Sequence, residues 1–315
     1  GAALQVQDDN EQYTTLTVSS QKHIGVNFTS AELTMQLDDF AERVLKPRVS
    51  QLASSVDADV ATAYKGIYNS VGTPGTTPST SLVLLQAQQK LNEFATPMNP
   101  RYATVNPAAN AGLVEGLKGL FNPTGTISRQ FKNGMMGEGV LGLDEINMSQ
   151  SIVQHTTGVT PTAPIVATAV TTEGSTSLAI SFTSGSPTFK IGDVFTIANV
   201  YAVNPQTRQS TGSLQQFVVT ADVTVSSSTT ATLSISPAIY TSANALATVD
   251  SFPAASAALT FLGGSATTYP QNLIYHKDAI TLATADLLLP QGVDMASRQV
   301  HNGISLRIVR QYDIN

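Results

Sequence analysis

Phe189-Lys-Ile-Gly-Asp-Val-Phe-Thr-Ile-Ala-Asn-Val-Tyr-Ala-Val-Asn-Pro-Gln-Thr-Arg-Gln-Ser-Thr-Gly212 is the stretch on which the reading of this chain turns. It lies inside a block, residues 158–268, whose texture differs from the sequence on either side. The block holds about six charged residues in about 110 and shows no helical periodicity. Strand-like runs fall at 165–170, 177–183, 193–200, 214–220, 222–226, 231–236 and 257–262, with Gly, Pro, Asn or Ser in the breaks. Short strands at regular spacing predict a barrel or a sandwich.

Ahead of the block the chain mixes helix and strand. Tyr13, Leu16, Val18, Ile24, Val26 and Phe28 are spaced mostly by two, which predicts an extended segment over 12–28. Asp39 with Glu42 makes a capping-box-like start. Leu45, Val49, Leu52, Val56, Val60, Ala63 and Ile67 then form one apolar stripe on a long helix, about 40 Å at about 1.5 Å per residue. Pro47 predicts a kink or a restarted first turn. A second helix is expected over 80–95, a strand over 101–106, a helix from Pro107 to about Phe121 and a strand from Ile146 to His155. Beyond the block, 272–275, 280–284 and 304–312 read as strands, the last a natural antiparallel partner for 12–28.

Composition narrows the function classes. The 315 residues carry 12% charge, against about 25% in ordinary domains. That suits broad β-surfaces, and equally a subunit whose exterior is covered by neighbours. The net charge of −6, with no Lys/Arg cluster, excludes a nucleic-acid reader but not passive enclosure of nucleic acid. With no cysteine, disulfides, thiolate metal sites and Cys nucleophiles are excluded. No run reaches the length of a membrane-spanning helix, and no secretory pattern opens the chain. The first residue is Gly1 rather than Met, so processing or truncation is expected.

Few motifs carry chemistry. Gly137-Glu-Gly139-Val-Leu-Gly142 fits G-x-G-x-x-G, but an apparent strand follows it where a dinucleotide site needs a helix, so it reads as a turn. His23, His155, His276 and His301 lie far apart without zinc-site spacing and read as surface or interface residues. Asp8, Asp9 and Glu11 lack the spacing of a calcium loop and read as a solvated acidic tip. Asp38, Asp39 and Glu42 are explained by helix capping and the helix dipole. No G-x-S-x-G elbow occurs. No cofactor or metal site is expected, and no enzyme activity.

Three blocks together carry a family resemblance: Phe28-Thr-Ser-Ala-Glu-Leu-Thr-Met with Asp38-Asp-Phe-Ala-Glu-Arg43, the opening stretch with its Gly192-Asp193 turn, and Asp278-Ala-Ile-Thr-Leu282 through to Gln311-Tyr-Asp313. In this order they resemble the major capsid proteins of tailed bacteriophages, most of all the branch with an inserted β-barrel, as in the gene-five coat protein of Salmonella podoviruses. The resemblance implies an α+β fold of the Hong Kong 97 type. Residues 1–14 would be the returning half of an extended loop, 15–72 with 304–315 a peripheral domain with its spine helix and sheet, 73–157 with 269–303 an axial domain, and 158–268 the inserted all-β barrel. Family members carry an N-terminal arm and the outgoing strand of that loop, so the chain is expected to be truncated at both ends.

The function implied is a structural subunit of an icosahedral head. It would assemble with itself into pentamers and hexamers around double-stranded DNA, with scaffolding and portal proteins as partners, in the host cytoplasm and finally the virion, without a membrane. Asp8, Asp9, Glu11 and Glu173 are the candidate intersubunit contacts; Glu173 is the one acid in the turn Thr171–Thr176, where the podovirus relative carries a long acidic loop. The alternative is a decoration or surface-adhesion protein that binds a ligand through its β-domain. Phe182, Phe189, Phe195, Tyr201, Phe217, Tyr240, Phe252 and Phe261 sit mostly within predicted strands, so core packing is the simpler use of these aromatics.

Overall fold

The computed structural model describes residues 15–27, 41–116, 133–134, 136–226, 228–301 and 304–311. The chain divides into two compact units, one of Asp39–Ile280 and one of Gly1–Asp38 with Thr281–Asn315.

The larger unit opens with the long helix. A π-helical turn, Ala41–Leu45, runs into α1, Lys46–Ala61, which ends in a 3-10 turn, Thr62–Gly66. Pro47 sits in the first turn of α1, directly after the wide π turn. The α-helical ladder thus starts afresh at Pro47, a position where the missing N–H costs no ladder bond. The second helix, α2, spans Ser81–Glu93, and α3 spans Pro107–Gly116 with proline at its start.

Between them lies β1, Arg101–Val105, whose alternating burial places Ala103 and Val105 inward. A hairpin follows, β2 Gly137–Val140 and β3 Leu143–Met148. Val140 faces Leu143 across a two-residue loop in which Leu141 and Gly142 both have positive φ, 54° and 72°. That is the geometry of a type I′ turn, which matches strand twist and favours glycine. Here the G-x-G-x-x-G string is absorbed. β3 runs parallel to β1. Leu84, Ala103, Val105, Ala109, Leu113, Met136, Leu143 and Ile146 make one core.

The chain then passes through a short strand, β4 Gln154–Thr156, and enters a barrel. The expected single strand over 146–155 is thus two strands, because β3 and β4 pair with different partners. The barrel strands are β5 Ile165–Val166, β6 Ser175–Ser181, β7 Thr188–Phe189, β8 Val194–Val203, β9 Ser210–Val219, β10 Val223–Thr224, β11 Thr230–Ile239 and β12 Leu259–Phe261. Six of them form one sheet in the order β12-β8-β9-β11-β6-β5, while β7 and β10 pair separately. Its two edges meet: Val166 N–H donates to Ala257 O at 2.9 Å and Leu259 N–H to Pro164 O at 2.9 Å. The sheet is therefore nearly closed, and closure removes exposed edges. Period-two alternation in β8 sends Phe195 and Ile197 inward, where they join Ile180, Phe189, Phe217, Leu233 and Ile239. Phe195 lies 5.8 Å from Phe217 and 5.3 Å from Phe261, centroid to centroid.

The chain leaves through β13, Thr268–Pro270, which pairs antiparallel with β4. β14, Leu273–His276, then returns to the first sheet and pairs antiparallel with β1, giving the order β14-β1-β3-β2. The predicted strand at 280–284 is not formed.

In the smaller unit the described residues include one hairpin, β15 Met295–His301 with β16 Ile304–Arg310. This corrects the predicted pairing of the closing strand with the N-terminal segment. Residues 15–27 form no strand, and β16 takes β15 as its partner. Leu16 and Val18 are exposed by 56% and 50%. Alternation alone does not make a strand; a ladder partner must complete the hydrogen bonds, and a hairpin neighbour needs the shorter loop.

Candidate functional site

Among the described residues no three His, Asp or Glu side chains converge as a metal site, and no helix is long and apolar enough to cross a membrane. Asp8, Asp9 and Glu11 lie outside the described residues, as do Asp38 and Asp39. Glu173 is placed at the tip between β5 and β6. Its carboxylate accepts the Thr241 N–H at 3.0 Å and the Thr241 hydroxyl at 2.5 Å, which ties this tip to the loop after β11.

The polar residues that do converge are at the junction where the barrel meets the long helix. Tyr64 projects from the 3-10 turn, His155 from β4, and Asp193 from the turn leading into β8. All three are buried, at 7%, 3% and 5% exposure. The Tyr64 hydroxyl is 3.0 Å from His155 Nδ1, and His155 Nε2 is 2.9 Å from Asp193 Oδ1. An ionised carboxylate only accepts, so Nε2 carries the proton; in the neutral ring Nδ1 then accepts from the tyrosine. Asp193 Oδ2 also accepts the backbone N–H of Lys190 at 2.8 Å and of Gly158 at 3.1 Å.

The rings of Tyr64 and Tyr269 both meet His155 edge-on, with centroids 5.5 and 5.8 Å away. Burial, and then the Asp193 charge, raises both phenols, Tyr269 to about 12. Gly192 lies against the cluster with φ +100°, and a Cβ there would stand 3.1 Å from the Tyr64 ring. Burying a carboxylate is costly unless hydrogen bonds replace its water, and Asp193 has three donors.

A Tyr–His–Asp chain has the parts of a proton relay. Here it is shielded from solvent and holds no Ser or Cys nucleophile, so what the arrangement can do is hold two elements in one orientation. Two further ties serve the same junction. The Gln216 side-chain amide accepts from Ser70 N–H and donates to Ser70 O, both at 2.9 Å. Asn204 Nδ2 donates to Glu93 O at the end of α2, at 2.7 Å.

Two of the four histidines expected at a surface or interface are buried within the fold, His155 and His276 (8% exposed), whereas His23 is exposed as expected. Sequence reasoning missed the junction because its partners lie far apart along the chain. The nearest signal was the Gly192-Asp193 turn, where an acid follows a glycine inside a charge-poor block.

Comparison with known proteins gives three findings. A family model described as the P22 coat protein, gene protein 5, matches residues 8–315. Among solved structures, the CUS-3 coat protein I-domain is similar to part of this chain, with 28% identity, 33% of this chain and 97% of that chain covered, and a TM-score of 0.25. No curated protein matches.

Proposed function

From the premise that the chain belongs to the P22 coat protein family, we propose how this particular subunit builds its shell. The family makes it a structural subunit of a phage capsid, assembling with copies of itself in the virion. The proposed fold is of the Hong Kong 97 type, with residues 15–72 and 304–315 as a peripheral domain, 73–157 and 269–303 as an axial domain, and 158–268 as an inserted barrel. Pentamers and hexamers of such subunits close an icosahedral head around double-stranded DNA. Scaffolding and portal proteins guide closure in the host cytoplasm.

The observation that carries this reading is the family match over residues 8–315, nearly the whole chain. Physical features support it. Closed symmetry multiplies modest contacts, so no single interface need be strong. A subunit with 12% charged residues has little desolvation cost when neighbours cover it. A net charge of −6 keeps the inner wall from adhering to packaged nucleic acid. Glu173 is proposed as an intersubunit contact together with Asp8, Asp9 and Glu11. The ligand-binding alternative has less support, since Phe182, Phe189, Phe195 and Phe217 are spent inside the barrel.

Electron microscopy of the purified full-length protein, alone and with the scaffolding protein of its own phage, tests the proposal. Closed icosahedral shells are expected. A protein that stays monomeric under every condition overturns it.

A further inference from the structure

The long helix shows almost no buried side chain of its own. None of α1 is buried, and in the run from Glu42 to Gly66 the one buried residue is Tyr64. That residue is at the helix's C-terminal end and is aimed at the junction rather than along the helix's apolar stripe. Its hydroxyl reaches the barrel through one intermediate, His155, whose two ring nitrogens are both engaged.

Other links join the barrel to the segments before and after it: the Gln216–Ser70 and Asn204–Glu93 bonds, and the β4–β13 ribbon, whose pairing is extended by Thr157 N–H to Thr267 O and Gln271 N–H to Val153 O. A two-stranded ribbon twists more readily than a wider sheet, so it leaves part of the barrel's direction to the other links. The hydrogen-bonded chain differs from it in kind. Its three members are bonded in series, and rotating the barrel away would leave Asp193 short of a donor in a buried place.

We propose that Tyr64, His155 and Asp193 form a mechanical coupling that makes the barrel follow the C-terminal end of the long helix, so that any bend or shift of that helix is delivered to the barrel as reorientation. Asp193 anchors the barrel side through Lys190 and Gly158, Tyr64 anchors the helix side, and His155 on the ribbon is the joint. The Gln216–Ser70 and Asn204–Glu93 bonds are the links that remain when the coupling is removed.

These 315 residues hold no cysteine, so none of their own side chains competes with an introduced thiol for the label. Ser54 on α1 and Thr232 on β11 are both exposed, and Ser177 and Thr260 are exposed within the barrel. Spin labels at Ser54→Cys and Thr232→Cys report the helix-to-barrel distance in the full-length protein. Labels at Ser177→Cys and Thr260→Cys report the barrel itself. The expected result is a narrow helix-to-barrel distribution that broadens in Tyr64→Phe and broadens further in Tyr64→Ala, while the barrel-internal distribution keeps its width. An unchanged helix-to-barrel width in Tyr64→Ala overturns the proposal. So does equal broadening of the barrel-internal pair, which would make the cluster part of the barrel's own fold.

Discussion

The barrel and the Met295–Arg310 hairpin are both antiparallel β-structure from one chain, and they treat apolar side chains in opposite ways. Ile180, Phe195, Ile197, Phe217, Leu233 and Ile239 of the barrel are 0% exposed. In the hairpin, Val300, Ile304, Ile308 and Val309 are exposed by 41–49%. The difference is one of strand number. Six strands can curl until one face becomes an interior, whereas two strands have no inside. The barrel encloses its apolar face; the hairpin leaves its own partly open to solvent.

The sharpest way to break that contrast is to truncate a ring in the barrel. Phe217→Ala should lower the unfolding free energy by about 3–5 kcal/mol, read from urea titration of the full-length protein. A loss no larger than that of a hairpin variant would end the comparison. Alkali offers a second route. Tyr269 is raised from 10.0 to about 12 in the fold, so the folded protein keeps a proton that the unfolded chain releases. Its contribution is fully present below about pH 10 and is lost as pH rises toward 12. Tyr269→Phe should flatten the alkaline arm of a stability–pH curve, and an arm of unchanged slope would show that Tyr269 is not its source.

Smaller effects follow at the surface. Glu173→Ala removes two hydrogen bonds to Thr241. It should cost about 0.5–1.5 kcal/mol, with a lower thermal midpoint as the readout. Ile308→Ser should change subunit stability by no more than about 0.5 kcal/mol. Its effect should fall instead on the yield of assembled particles in sedimentation velocity. A large stability loss together with unimpaired assembly would invert the contrast between the two regions.

What could be read from residue order follows the range of the interactions. The strand-like run 193–200 and the stripe from Leu45 to Ile67 are local: β8, Val194–Val203, takes up most of the first, and the helical run ends at Gly66, leaving Ile67 extended outside it. The turn expected over Gly137–Gly142 is confined to Leu141-Gly142, because Gly137–Val140 pair with β3 as a strand. β15 was missed: Met295-Ala-Ser-Arg-Gln-Val-His301 has few β-branched residues, and its strand character comes from pairing with β16. Residues 15–27 fail for the converse reason, having strand-like spacing without a ladder. Of the candidate contacts, Glu173 could be singled out as a lone acid, but its bond to Thr241 spans 68 positions. The junction was the least legible part, since Tyr64 and His155 are 91 positions apart and His155 and Asp193 are 38 apart. A histidine's partners at such separations leave no trace in its own neighbourhood.

The pairing of Thr156 with Thr268 has one more consequence. Antiparallel neighbours sit about 5 Å apart, so the whole stretch from Thr157 to Thr267 departs and returns at almost one point. A genome could gain or lose such a cassette in a single event, and the remaining ends would need only a tight tie to rejoin. The scaffold's own strands would keep their register, leaving evolution free to rework the ornament without redrawing the wall.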